Sequence, residues 1–252
     1  MMCLLFSKIW LRNARVWMRH IRASLIGNLG QPFMFLLAMG YGLGREIPAI
    51  HGLSYLQFIA PGLVTTAVMY SAAFEATYGS YTRLTTQHTF EAILMTPVSV
   101  SDLAVGEVIW GATKGLVSGI IMLISLPLFG VWPSPLVLAL IPILFLEGVF
   151  FSALGLITTA VADNYEFFNY FTSLLITPLF LFSGVFFPID SLNPVAKAVL
   201  LALPLTHTVT LARRFCYGDL SGGWALNLSV IAAAALTAAW ISIMLLRRRL
   251  IR

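Results

Sequence analysis

Three ionisable side chains, Glu107, Lys114 and Glu147, stand inside long apolar runs of this sequence. If those runs cross a bilayer, a lone charge at mid-depth costs about 3 kcal/mol or more, so each group needs a partner or a watered path. At ~1.5 Å per residue, Lys114 lies roughly 16 Å into its run. Glu147 lies roughly 18 Å into the next run, which enters from the opposite side. Both reach mid-depth on consecutive runs, and we expect them to pair. Glu107 shares a helix face with Lys114, nearer the end of the run. Such a set can serve as a structural ion pair, as the polar lining of a substrate path, or in proton coupling.

Other chemistries lack their residues. There is no G-x-x-x-x-G-K-[ST] to cradle ATP phosphates and no H-E-x-x-H for zinc. Ser183-Gly184 followed by His207 invites comparison with a Ser/His protease. Leu181 and Phe182 precede that serine, however, where an exposed nucleophile needs a tight glycine-bearing turn. Asp163 and Glu166 are close in sequence but read as solvated loop charges. The four histidines fall in separate segments, and no Cys/His group has metal-ligand spacing.

The elements that must hold the charges follow from composition. Of 252 residues, 59% are hydrophobic and only 10% charged. A soluble domain carries about 25% charge, so this chain cannot clothe a soluble surface. It reads as one all-α integral membrane domain. Six stretches approach the ~20 residues a span needs, at 26–44, 57–78, 103–129, 135–161, 167–189 and 224–246. Asn28, Gln31 and Pro32 interrupt the first, so its start is expected to be kinked or interfacial. The stretch 195–211 is apolar but short, broken by Pro204 and bracketed by Lys197, Arg213 and Arg214. We read it as a re-entrant or surface pair of helices within an outer segment at about 190–222.

Charge favours six spans. With six, both ends are cytoplasmic. The inside then holds ten basic residues: Lys8, Arg12, Arg15, Arg19, Arg22, Arg83, Arg247, Arg248, Arg249 and Arg252. Outside lie four, Arg45, Lys197, Arg213 and Arg214. A seventh span would reverse that bias. Tyr41, Tyr55, Trp132 and Trp224 fall near outer ends of spans, and Tyr78, Tyr81, Tyr165 and Tyr170 near inner ends, as two aromatic belts do. On this topology Cys3 and Cys216 face opposite sides and form no disulfide. Basic ends flanking apolar helices suit anionic lipid rather than nucleic acid. The first 25 residues lack a clean apolar core, which argues against a signal peptide.

Two amphipathic segments lie outside the spans. Over 3–22, Lys8, Arg12, Arg15, Arg19 and Arg22 recur every three or four residues on one helix face, with Phe6, Ile9, Trp10, Trp17 and Ile21 opposite. This predicts a helix lying along the membrane surface. Between the second and third spans, Phe90, Ile93 and Leu94 sit at helical spacing with Glu91 turned away. Pro97 ends that short helix, at about 86–95, and Asp102 is placed to cap the next. Gly148, Ser152 and Gly155, and Gly115 with Gly119, allow close helix approach, within one chain or at a dimer seam.

The stretch 177–218 resembles the signature region of ABC exporter permeases of the second type. It carries Leu181-Phe182-Ser183-Gly184, then Phe187-Pro188, Pro194, the pair Pro204-Leu205 and a basic residue. The run from Glu91 to Pro97 is similar to that family's coupling region, and the amphipathic N-terminal helix also fits. Within the family the chain looks most like the NodJ-like branch, exporters of lipo-oligosaccharides. The resemblance implies a homodimeric pathway driven by two NodI-like ATPase subunits. This chain would then bind no cofactor, with ATP and Mg held by the partner. It further implies that 86–97 is a coupling helix built on Phe90, Glu91, Ile93, Leu94 and Pro97. The outer helices would cover the exit for a lipo-oligosaccharide, glycolipid or hydrophobic drug. Two other readings stay open: a stand-alone secondary transporter, whose buried charges would couple to protons, and a lipid-modifying membrane enzyme.

Overall fold

The computed structural model describes residues 5–42, 44 and 46–251. Cys3, Arg45 and Arg252, which entered the counts above, lie outside the described residues, as does the side chain of Asn28. The described residues are helical, with no strand among them beyond a single bridge between Ile50 and Leu53.

Helix α1 (Leu5–Met18) does not float on its own. Its Ile9 and Asn13 are buried, and it packs on α6 (Val100–Ser125) where Gly106 leaves room. A Cβ on Gly106 would lie 2.8 Å from the Ile9 Cβ. The basic stripe predicted over 3–22 is therefore not one helix face. The chain turns at Arg19 and His20, where Arg19 and His20 donate backbone hydrogen bonds to Val16 and Trp17. Arg22 lies in the first turn of the next helix, α2 (Ile21–Phe35). Trp17 fixes the corner by donating to Ser24 Oγ at 2.9 Å. Pro32 does not break α2, which continues as π-helical turns through Leu36–Gly42.

The central element is α3 (Tyr55–Phe74), opened by a reciprocal Ser54–Gln57 capping box. It is buried at every position from Phe58 to Ala73. It runs on through a π-helical turn, Glu75–Gly79, into α4 (Ser80–Thr85), well past the expected end at 78. Short helix α5 (Thr89–Leu94) follows. A Ser99–Asp102 capping box then opens α6, with Asp102 in the reciprocal position three residues in. Helix α7 (Leu140–Val161) returns alongside α6 and α3. The small residues predicted for close packing are used within the chain. A Cβ on Gly148 would meet Ala112 O at 2.9 Å, and one on Gly155 would meet Ala73 O at 2.9 Å. Gly115 and Gly119 face Val68 of α3 in the same way.

The remaining elements wrap this core. Helices α8 (Phe167–Phe171) and α9 (Thr177–Phe182) are joined by a π-helical turn, Thr172–Ile176. Together they stop at Phe182, short of the predicted 189, because Ser183 through Phe187 are irregular and Gly184 sits at φ +76°. Helices α10 (Pro194–Leu201) and α11 (Pro204–Cys216) form the outer pair, bent by 89° where Pro204 interrupts it. Asn193 caps α10 through Ala196 at 2.8 Å, and Pro194 and Pro204 occupy the first turns that proline favours. Helix α12 (Trp224–Leu250) buries only Ile231, Ala235, Ala238, Ser242 and Leu246, a stripe at helical spacing.

Four of these helical stretches, Tyr55–Thr85, Val100–Phe129, Pro135–Val161 and Trp224–Leu250, are long and apolar enough to cross a membrane. The bent pair makes a fifth if it is one span, and Phe167–Phe182 is apolar but shorter. Helix α1 and the C-terminal part of α12 share one end of the bundle. Ile9 of α1, Phe90 of α5, Leu103 of α6 and Leu246 of α12 belong to a single buried cluster there.

Candidate functional site

At that shared end, four charged side chains assemble below the surface. Lys114 does not meet Glu147. Its Nζ donates to Glu75 Oε2 at 2.7 Å. Glu75 was missed as an intramembrane charge. It lies near the end of the expected second span, but α3 runs on past it, which puts it inside the bundle. The other Glu75 oxygen accepts from Trp110 Nε1 at 2.9 Å and from Arg83 Nη1 at 2.9 Å. Arg83 was expected as a loop cation on the inner surface. It is instead tied to both carboxylates, reaching Glu107 Oε2 through Nη2 at 2.7 Å. Glu107 also accepts from Ser80 Oγ at 2.8 Å and from Asn13 Nδ2 of α1 at 2.7 Å.

Local geometry explains the assembly. The π-helical turn shifts the register so that Glu75 and Arg83, both on the long helix, converge. Gly79 makes the space: a Cβ there would meet Glu75 Oε1 at 2.8 Å. Each carboxylate has at least three donors, so the cost of taking these charges out of water is offset by short charge-assisted bonds. Glu147 stands apart. It is buried, and neither carboxylate oxygen has a hydrogen-bond partner among the described residues.

Beside the cluster opens a cavity of about 430 Å³, walled by Arg12, Trp17, Glu75, Arg83, Trp110 and Lys114 among others. Trp110 packs edge-on against Trp10 and Trp17, at 6.4 and 5.9 Å between ring centres. Of the predicted interface arginines, Arg15 and Arg19 are exposed, while Arg12 turns into the cavity and donates to Asn13 Oδ1 at 2.9 Å. Burial first, and the nearby Arg83 charge second, hold the Arg12 guanidinium below its usual range, with Glu107 pulling the other way.

The short helix expected between the second and third spans forms at Thr89–Leu94, between α4 and α6. Phe90, expected to face a partner, is fully buried beneath it. At helical spacing, Ile93 and Leu94 follow Phe90 inward to half-buried positions, leaving Glu91, Met95, Thr96 and Pro97 exposed, Met95 at 87%. Arg12 Nη2 approaches Thr89 Oγ1 at 3.4 Å, so the short helix touches the cavity wall.

The signature residues of 177–218 come together at the opposite end. Ser183 is buried and donates to Leu179 O at 2.5 Å, so it is no exposed nucleophile. Arg213 of α11 donates to Gly184 O at 2.9 Å and to Phe58 O at 3.2 Å, with its guanidinium 3.8 Å above the Phe58 ring. Pro188 leads into the turn Ile189–Ser191. Cys216 is buried as a free thiol.

A helical bundle this apolar, with an ion cluster inside and bare leucine, isoleucine and phenylalanine outside, is a multi-pass membrane protein. The chain belongs to the ABC-2 type transporter family, which it matches over residues 5–216. It is a membrane subunit of that transport class. It is 34% identical over 243 residues to Nodulation protein J of Sinorhizobium fredii, covering 96% of this chain and 93% of that protein. Nodulation protein J of Rhizobium meliloti is likewise 34% identical over 242 residues, covering 96% and 92%. The similarity extends to the inner membrane transport permease YadH of Escherichia coli, 28% identical over 217 residues, covering 85% and 82%.

Proposed function

We propose that this chain is the membrane-spanning half of an ATP-driven exporter in the inner membrane. It works as a homodimer with two NodI-like ATPase subunits that hold ATP and Mg. Six spans place both termini in the cytoplasm. The placement of Ile9 and Leu246 in one cluster supports an even number of crossings. The substrate is an amphiphile, such as a lipo-oligosaccharide, taken from the cytoplasm or inner leaflet and released outward.

The observation that carries this reading is the seating of α5. Its Phe90 is sunk in the same cluster as α1, α6 and α12, while Glu91, Met95 and Pro97 face out. A push on the outer face from a closing ATPase dimer therefore acts on the ends of three helices at once. Asn13, Glu107, Arg83, Glu75 and Lys114 continue that contact inward as an unbroken run of hydrogen bonds. Substrate contributes only through its different affinity for the two states.

Affinity purification of the chain from its native membrane tests the proposal. A stoichiometric ATPase that leaves with it, and is lost on Met95→Asp, supports the reading. A stable chain that purifies alone sinks it in favour of a secondary transporter or a lipid-modifying enzyme.

A further inference from the structure

The cavity beside the ion cluster carries more positive charge than its own carboxylates balance. Three cations, Arg12, Arg83 and Lys114, converge on it, with two carboxylates, Glu75 and Glu107. Arg83 and Lys114 take up both acids. Arg12 is left with neutral partners, Asn13 and Thr89, and belongs to no ion pair among the described residues. A half-buried cation that makes no direct ion pair, feeling Glu107 only at a distance and the like charge of Arg83 more strongly, is costly, and an anionic ligand would reduce that cost. At about 430 Å³ the space has the size of a ligand pocket rather than a water site. Its rim includes the exposed apolar side chains Val16 and Tyr78, and its wall the indoles of Trp17 and Trp110. Charge inside and apolar surface at the mouth match a molecule with an anionic head and an apolar tail.

We propose that this cavity binds the anionic head of an amphiphile, with Arg12 as the contacting cation and Trp17 and Trp110 against the adjoining apolar portion. The head is a single negative group such as a phosphodiester or sulfate, carried by a bilayer lipid or by the transported molecule. This assignment rests on the permease reading for its place on a transport path. Binding itself is measured without the ATPase, so the two stand or fall separately.

The test is native mass spectrometry of the purified full chain titrated with dioctanoyl phosphatidylglycerol, dioctanoyl phosphatidylcholine or inorganic phosphate. Arg12→Gln and Arg15→Gln are compared with the unaltered chain. Arg15 is exposed on the same helix and does not line the cavity. The expected result is saturable phosphatidylglycerol binding that Arg12→Gln weakens about tenfold, the loss of one charged hydrogen bond. Arg15→Gln should leave it unchanged. Weakening confined to Arg12→Gln also survives a check that both variants melt like the parent. Equal binding of phosphatidylcholine, or equal loss in both variants, overturns the proposal. Inorganic phosphate binding as tightly as phosphatidylglycerol overturns the amphiphile and leaves a site for a free anion. Transported substrate that displaces phosphatidylglycerol from the parent but not from Arg12→Gln identifies the head as the cargo's. Displacement that fails while phosphatidylglycerol still binds through Arg12 assigns the site to bilayer lipid.

Discussion

Lys114 and Glu75 face one another at 2.7 Å across α6 and the π-helical turn that follows α3, and this contact anchors the whole buried cluster. Its partners Arg83 and Glu107 sit at comparable distance, so removing any one member leaves a buried charge unmatched.

Lys114→Ala and Glu75→Ala should each lower stability by about 3–5 kcal/mol, as truncating one partner of a buried pair does. The double variant should recover part of that loss, with a coupling of about 1–3 kcal/mol. Reversible unfolding in mixed micelles measures the cycle. Strict additivity would show that the two side chains do not act on each other.

Glu147→Gln should leave stability unchanged or slightly raised, because no donor to either carboxylate oxygen is lost. A Lys114–Glu147 cycle should be additive within about 0.5 kcal/mol. A marked loss in Glu147→Gln would mean the carboxyl has a partner in the working protein.

Phe90→Ala and Met95→Asp should separate packing from docking. The first empties a fully buried site and should cost about 3–5 kcal/mol. Met95→Asp alters an exposed tip, so the melting curve should hold while ATPase recovery in pull-downs falls. The reverse pattern would place the contact elsewhere.

Arg249→Ala should loosen the end of α7. The guanidinium of Arg249 donates to Thr159 O at 3.2 Å, Ala160 O at 3.1 Å and Ala162 O, the carbonyls a helix leaves unmet at its C-terminus. A loss of about 1–2 kcal/mol is expected, with faster amide exchange confined to 157–163. Unchanged exchange there would argue against the cap.

Arg213→Lys should destabilise the outer segment even though charge is kept. Lysine lacks the fork that reaches both Phe58 O and Gly184 O. Limited proteolysis between 183 and 203 should quicken. An unaltered cleavage rate would mean these two carbonyls find other donors.

Sequence alone determined much of the architecture. A chain with 10% charge has no soluble surface to build, and runs of ~20 apolar residues have few uses outside a bilayer. The helix start near Asp102 and the break at Pro204 were legible because caps and prolines act through the local backbone, although the capping residue itself is Ser99 and Asp102 is its reciprocal partner. The run from Ser183 to Arg213 was legible as a signature, though not why its ends belong together.

Tertiary structure decided which residues face which way. Within an apolar span, core and lipid-facing positions carry the same side chains, since lipid is as apolar as a protein interior. Nothing in their composition marks α3 as the buried hub and α12 as the rim. The true partner of Lys114 depended on a π-helical turn that no sequence pattern announced, and on α3 running past 78 to carry Arg83 inward. Phe90 was placed on the right helix and given the wrong direction, because a six-residue amphipathic helix has two surroundings and only packing chooses between them. Spacing fixes which residues share a face only where the helix is unbroken, as the turn at Arg19 and His20 shows. What that face meets is fixed by the fold, since the neighbouring helices lie dozens of residues away in the chain.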